Sequence, residues 1–137
     1  MADLTITATS VVAGGNARTV DGTAGATITA GQAVYLDSTT GTYKLADCDS
    51  ATAAVRSPAG IALNGAATGQ PVEIATSGNI TIGATVTAGV AYYLSATAGG
   101  ICPVADLGSG DYPVFLGFAT SSSVLALRIV ESGVALA

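Results

Sequence analysis

Residues 29–36 read TAGQAVYL, and residues 87–94, which lie 58 positions later, read TAGVAYYL. Thr39 and Gly41 recur at the same offset as Thr97 and Gly99. Each stretch begins with Thr-Ala-Gly, which favours a turn, and ends in a β-branched or aromatic run, which is typical of a short strand. The repeat therefore predicts two copies of one β unit.

The match continues beyond these stretches. After one inserted residue, residues 46–47 align with 105–106, then GIA at 60–62 aligns with GFA at 117–119, and VEI at 72–74 with LRI at 127–129. The two copies occupy residues 26–80 and 84–135, and each alone is too small to bury a good core. We expect a single domain over residues 21–137. The alternative is chance similarity in a chain rich in Ala, Gly and Thr.

Strand patterns recur along the chain, whereas Gly or Pro interrupts almost every window that could form a helix. This spacing of short strands is typical of a sandwich or barrel. We predict an all-β fold, a single compact β-sandwich or barrel that is jelly-roll-like and built from two pseudo-repeats. The predicted strands cover residues 4–8, 33–36, 43–45, 60–63, 72–75, 79–82, 91–94, 114–120 and 124–130.

Residues 1–20 lie outside both copies and form an N-terminal strand or arm. Residues 4–8 (LTITA) alternate apolar and polar side chains, as a half-buried strand does. The segment is either the first strand of the domain or an arm that adds to a neighbouring subunit's sheet edge. The candidate residues for contact with another subunit or a larger protein surface are Leu4, Ile6, Ala8, Val11 and Val12.

Charged residues make up only 9% of the chain, against roughly 25% in average globular proteins. Such a neutral surface suits dense packing against neighbours, although a compact monomer with a Thr-rich face has the same composition. The net charge is −5, with four basic residues. Because nucleic-acid affinity comes mostly from phosphate neutralisation by Lys and Arg, we expect no direct nucleic-acid binding.

Residues that carry common enzyme chemistry are few. The chain has no histidine, which excludes Ser-His-Asp and Cys-His catalysis, and no C-x-x-C pair for zinc. Asp47 and Asp49 have the spacing of calcium-loop ligands, but an EF-hand needs Gly and Glu where Thr52 and Pro58 stand. An Asx turn is the alternative. We therefore expect no enzyme activity, catalytic residue, metal or cofactor.

The two cysteines, Cys48 and Cys102, read as buried apolar side chains made in a reducing cytosol, because residues 1–4 lack the features of a secretory leader. No run approaches the roughly 20 apolar residues of a membrane span, so no membrane partner is expected. Tyr35, Tyr92 and Tyr93 form a sugar-stacking platform in one interpretation. In the other, Tyr35 and Tyr93 are equivalent core residues and Tyr92 lies on the opposite face.

A family resemblance rests on AGQAVYLD at 30–37, GTYKLAD at 41–47, GIAL at 60–63, AATGQPV at 66–72 and TSG at 76–78. Over residues 26–130 the chain resembles the capsid decoration, or cement, proteins of tailed bacteriophages. The resemblance implies a homotrimer made in the host cytoplasm that binds the major capsid protein on the outside of the expanded virion shell. It implies no catalytic residues. Related modules in phage tails and fibres, and an unrelated small β protein, are the alternatives.

Overall fold

The computed structural model describes residues 3–136, and it is all-β, as predicted from the sequence. Short 3₁₀ turns lie at Ala8–Ser10, Ala53–Arg56 and Val104–Asp106. Within residues 3–136 no helix is long and apolar enough to cross a bilayer. The strands are β1 (Val11–Ala13), β2 (Arg18–Thr23), β3 (Ala33–Asp37), β4 (Thr42–Leu45), β5 (Gly60–Ala62), β6 (Pro71–Ile82), β7 (Ala91–Leu94), β8 (Ile101–Pro103), β9 (Val114–Ala119) and β10 (Val124–Glu131).

The order of the strands in the sheet is symmetric about its centre, with each strand of one half matched by an equivalent strand of the other. It is β4-β3-β5-β6-β10-β9-β7-β8, with all neighbours antiparallel and the sheet curled into a half-barrel. Outward from the central pair β6 and β10, the strands β5, β3 and β4 take the same places on one side as β9, β7 and β8 on the other. The first half (β3–β6) and the second half (β7–β10) thus have the same topology.

Strand β6 belongs to both halves. Its beginning pairs with β5 and β2, and from Gly78 onward it pairs with β10 and β1. The pairing with β2 shifts register next to Ser77, and Gly78 has a φ of +94°. The two strands predicted at 72–75 and 79–82 are therefore one twelve-residue strand. It continues through Gly78 because glycine adopts a positive φ without steric cost.

Two hydrophobic cores lie on opposite sides of the first half. A parallel bridge from Ala24 to Tyr43 joins the chain after β2 to β4, and so encloses a small core. The large core fills the concave side of the second half, with members such as Ile80, Leu116 and Leu125. The small core contains Ala24, Ile28, Val34, Ala62, Ala66, Val72 and Ile74.

Strands β3 and β5 are buried on both faces because they separate the two cores. Val34 and Ala62 contribute to the small core, whereas Ala33, Tyr35 and Ile61 contribute to the large core. One face of the first half therefore packs against the core-facing side of the second half. This arrangement makes the two halves one folding unit.

The pairing register identifies equivalent residues in the two halves. Ile61 on β5 lies opposite Ala75 on β6, and Phe118 on β9 lies opposite Ala126 on β10. A Cβ on Gly60 would clash with the carbonyl oxygen of Ala75, and one on Gly117 would clash with that of Ala126. Both observations make Ala75 and Ala126 equivalent.

This register corrects the last part of the sequence alignment. Matching 72–74 with 127–129 is wrong by four residues, because the connection between β9 and β10 is shorter than the connection between β5 and β6. The similarity between the two halves also begins earlier in the chain than the stretches that start at residues 29 and 87. GATITAG at 25–31 and GATVTAG at 83–89 differ only at Ile28 and Val86, and both of these side chains are buried.

The strand predicted at residues 4–8 is not formed. The Leu4 N–H donates to the Ile101 carbonyl oxygen at 2.8 Å, and the Thr7 N–H donates to the Gly83 carbonyl oxygen at 2.8 Å. The segment thus runs from β8 to the turn after β6 and does not follow one partner strand, so no continuous ladder develops. Its apolar side chains Leu4 and Ile6 nevertheless pack against the large core.

A candidate interaction face

The two adjacent tyrosines of β7 point to opposite sides of the sheet. Tyr92 is buried in the large core, and its hydroxyl accepts the Thr87 N–H at 3.0 Å. Tyr93 is half-buried on the outer side. The expectation that Tyr93 is a core residue was therefore wrong. Tyr35 occupies the equivalent place in the first half, but there the second half covers it.

Three aromatic rings form a row on this outer side. The Tyr93 and Phe115 ring centroids are 5.8 Å apart, and those of Phe115 and Phe118 are 5.0 Å apart, both edge to face. Phe118 is 52% exposed and Val130 is 55% exposed. We call this surface the aromatic face and define it by Ala91, Tyr93, Phe115, Phe118, Ala126 and Val130.

A β-bulge assembles the face. Residues three positions apart on a regular strand point to opposite sides, yet Phe115 and Phe118 share one side. The pairing of β7 with β9 shifts register at this point, so that Leu116 is buried as an extra residue between the two rings. Simple alternation along the sequence does not predict this arrangement, and the aromatic face was missed for that reason.

An exposed cation lies beside the aromatic face. Arg128 lies on β10 between Ala126 and Val130, is exposed, and forms no ion pair within residues 3–136. Two other basic side chains are engaged elsewhere. Lys44 pairs with Asp37 at 2.8 Å, and this pairing lowers the pKa of Asp37. The Arg56 guanidinium lies 3.6 Å from the centroid of the Tyr112 ring.

The five contact residues predicted near the N-terminus do not form one surface. Leu4 and Ile6 are half-buried against the large core, and Val11 is 8% exposed. Ala8 lies in an exposed 3₁₀ turn, and Val12 is 58% exposed on β1. Three of the five thus pack within their own chain, and two face solvent.

The pair Asp47 and Asp49 forms a local turn. Backbone N–H groups of Asp49 and Ser50 donate to the Asp47 carboxylate, which agrees with the predicted Asx turn. Burial raises the pKa of Asp47, and its hydrogen bond to Asp49 raises it further. The Oδ1 atom of Asp47 is buried and has no hydrogen-bond partner within the described chain.

Both cysteines are buried free thiols, as expected. Burial raises the pKa of each thiol to about 12, and nearby carboxylates add to the effect. Cys102 is also the centre of a possible ligand set, because one ligand atom each from Asp3, Cys102 and Asp106 lies within 4.8 Å of the others. The thiolate is the metal-binding form, so a metal bound here would have to displace the Cys102 proton.

An open groove between the N-terminal segment and the end of β6 is rich in hydroxyl groups. No acid, amine or thiol lines it, so it offers no general base. Its hydroxyl-bearing residues are Thr5, Thr7, Ser10, Thr81, Thr85, Ser122 and Ser123.

No protein-family model matches the chain, and no curated protein matches it. The candidate functional surface is therefore identified by the geometry and exposure of its side chains. The aromatic face combines exposed apolar rings with a neighbouring exposed cation, and exposed apolar patches of this kind mark contacts with other proteins. It is the strongest candidate functional surface of the described residues.

Proposed function

We propose that the chain is a non-enzymatic structural module that binds the outer surface of a phage capsid as a homotrimer and stabilises the expanded shell. The aromatic face is the observation that carries this proposal. Exposed aromatic side chains are characteristic of protein interfaces, and this chain has few charged residues with which to keep such a surface apart from other proteins.

The mechanism requires only differential binding. A module that binds the expanded shell and not its precursor shifts the equilibrium toward the expanded state. Three linked subunits bind more tightly than one, because the second and third contacts form at high effective concentration. Strands β3 and β5 contribute to both cores and so join the two halves into one unit, which holds the aromatic face in place.

The test is cryo-electron microscopy of expanded shells stripped of accessory proteins, from the virus whose genome encodes the chain, after mixing with purified protein. We expect ordered knobs at three-fold or quasi-three-fold positions on the outside. Precursor shells are the control and should remain undecorated. A bare expanded shell beside soluble, folded protein would contradict the proposal and favour a tail or fibre module.

A further inference from the structure

We propose that the aromatic face is the surface through which copies of this chain associate with one another. The inference rests on the proposed function, because it names the contact that joins the subunits. The partner is a second copy of the chain, not the shell. Two independent observations, the equivalence of the halves and the charge on the face, lead to this assignment.

The first half has an equivalent of the aromatic face, and there the chain itself covers it. Ala33, Tyr35, Ile61 and Ala75 occupy the same register positions as Ala91, Tyr93, Phe118 and Ala126.

The exposure of the two sets differs sharply. Tyr35 is 8% exposed and Ile61 is fully buried, because both lie in the large core under the second half. Phe118, the equivalent of Ile61, is 52% exposed. In the first half this surface is thus a buried interface between the halves. In the second half no described residue of the chain covers the equivalent apolar side chains. In the first half, the protein that covers this surface is the second half of the same chain.

Charge favours the same partner. Arg128 is an exposed cation next to the aromatic face, and it has no ion pair within residues 3–136. The chain has a net charge of −5, so a second copy supplies carboxylates in excess.

The experiment compares the wild-type chain with Phe118→Asp, Arg128→Glu and Val20→Asp by light scattering over a concentration series. Val20 is the matched control, since it is a 41% exposed apolar residue on β2, which pairs with β6 and lies outside the aromatic face. We expect wild type and Val20→Asp to form the same oligomer. Phe118→Asp and Arg128→Glu should weaken association by about tenfold or more.

A second measurement covers the case in which Phe118→Asp does not fold. In Val130→Cys the new thiol is exposed, whereas Cys48 and Cys102 are buried. We expect maleimide to label Val130→Cys in dilute monomer and to label it more slowly as the protein assembles. Labelling that is equally fast in monomer and oligomer would overturn the inference.

Failure of the inference is distinguishable from failure of the proposed function. Wild type that remains monomeric at every concentration overturns the inference, and so does an oligomer that Phe118→Asp and Arg128→Glu leave unchanged. In either case shell binding by wild type, measured separately by co-sedimentation, decides the proposed function. Loss of shell binding in Phe118→Asp with a monomeric wild type would assign the face to the shell.

Discussion

Two equivalent glycines lie where a neighbouring strand passes too close for a side chain. In both halves the crowding atom is a carbonyl oxygen of the next strand, which cannot move away without disturbing its own ladder. Gly60 and Gly117 are therefore required by packing rather than by their own backbone angles.

We predict that Gly117→Ala lowers the free energy of unfolding by about 2 kcal/mol, since the new Cβ forces β9 and β10 apart. Urea denaturation measures the change. Gly15→Ala is the control, because a Cβ there meets nothing within 4 Å. Equal stability of the two variants would show that the strands yield without cost.

Asp47 predicts a specific dependence of stability on pH. Its pKa is raised in the folded state above its ordinary value of 3.8, so the unfolded chain releases this proton first as pH rises. The free energy of unfolding therefore falls as pH rises from the unfolded pKa through the folded pKa. Asp47→Asn keeps an oxygen acceptor for the turn and removes this titration.

We predict that Asp47→Asn has a higher melting temperature than wild type at pH 7, with the difference shrinking toward pH 3. Thermal unfolding followed by circular dichroism over this pH range measures it. Asp21→Asn, an exposed residue on β2, is the control. A variant less stable than wild type at pH 7 would mean that the Asp47 charge is stabilising.

At the scale of elements, the N-terminal segment is held by side chains more than by hydrogen bonds. The Ile6 side chain packs over Gly31, where an added Cβ would clash with it, and an added Cβ on Gly83 would clash with the Thr7 carbonyl oxygen. Because the segment joins β8 to the end of β6, its apolar residues cover an edge of the large core.

We predict that Ile6→Ala lowers the free energy of unfolding by about 1–2 kcal/mol, less than for a fully buried isoleucine because Ile6 is half-buried. Thr5→Ala, at an exposed neighbouring position, is the control, and urea denaturation is the measurement. If Ile6→Ala is as stable as wild type but fails to assemble, the segment serves as an arm toward another subunit.

At the scale of the whole molecule, the two cores share strands β3 and β5. A strand buried on both faces cannot lose one core and keep the other intact. The halves should therefore unfold together, although each has its own set of strands.

We predict that Ile74→Ala in the small core and Leu116→Ala in the large core each lower the free energy of unfolding by about 2–5 kcal/mol. Both should leave a single transition, with the same midpoint by circular dichroism and by tyrosine fluorescence. Two separated transitions in either variant would show that the halves fold independently.

Local pattern was sufficient to predict the all-β class, most strands and the similarity of the halves. Short β-branched runs between turn glycines report strand positions directly, because alternation and turn chemistry act over a few residues. The repeated motif predicts a turn in each matching stretch, and Gly31 and Gly89 both adopt a positive φ there. The repeat could be detected in the sequence because its matching turns and strands are local features of this kind.

Only the tertiary structure decided which surface is exposed. The bulge at Leu116, the continuity of β6 through Gly78 and the four-residue register correction all depend on pairing between distant strands. Tyr35 and Tyr93 are equivalent in sequence, yet one is buried and the other forms the aromatic face. The difference arises because the second half covers the first, and nothing in the described chain covers the second.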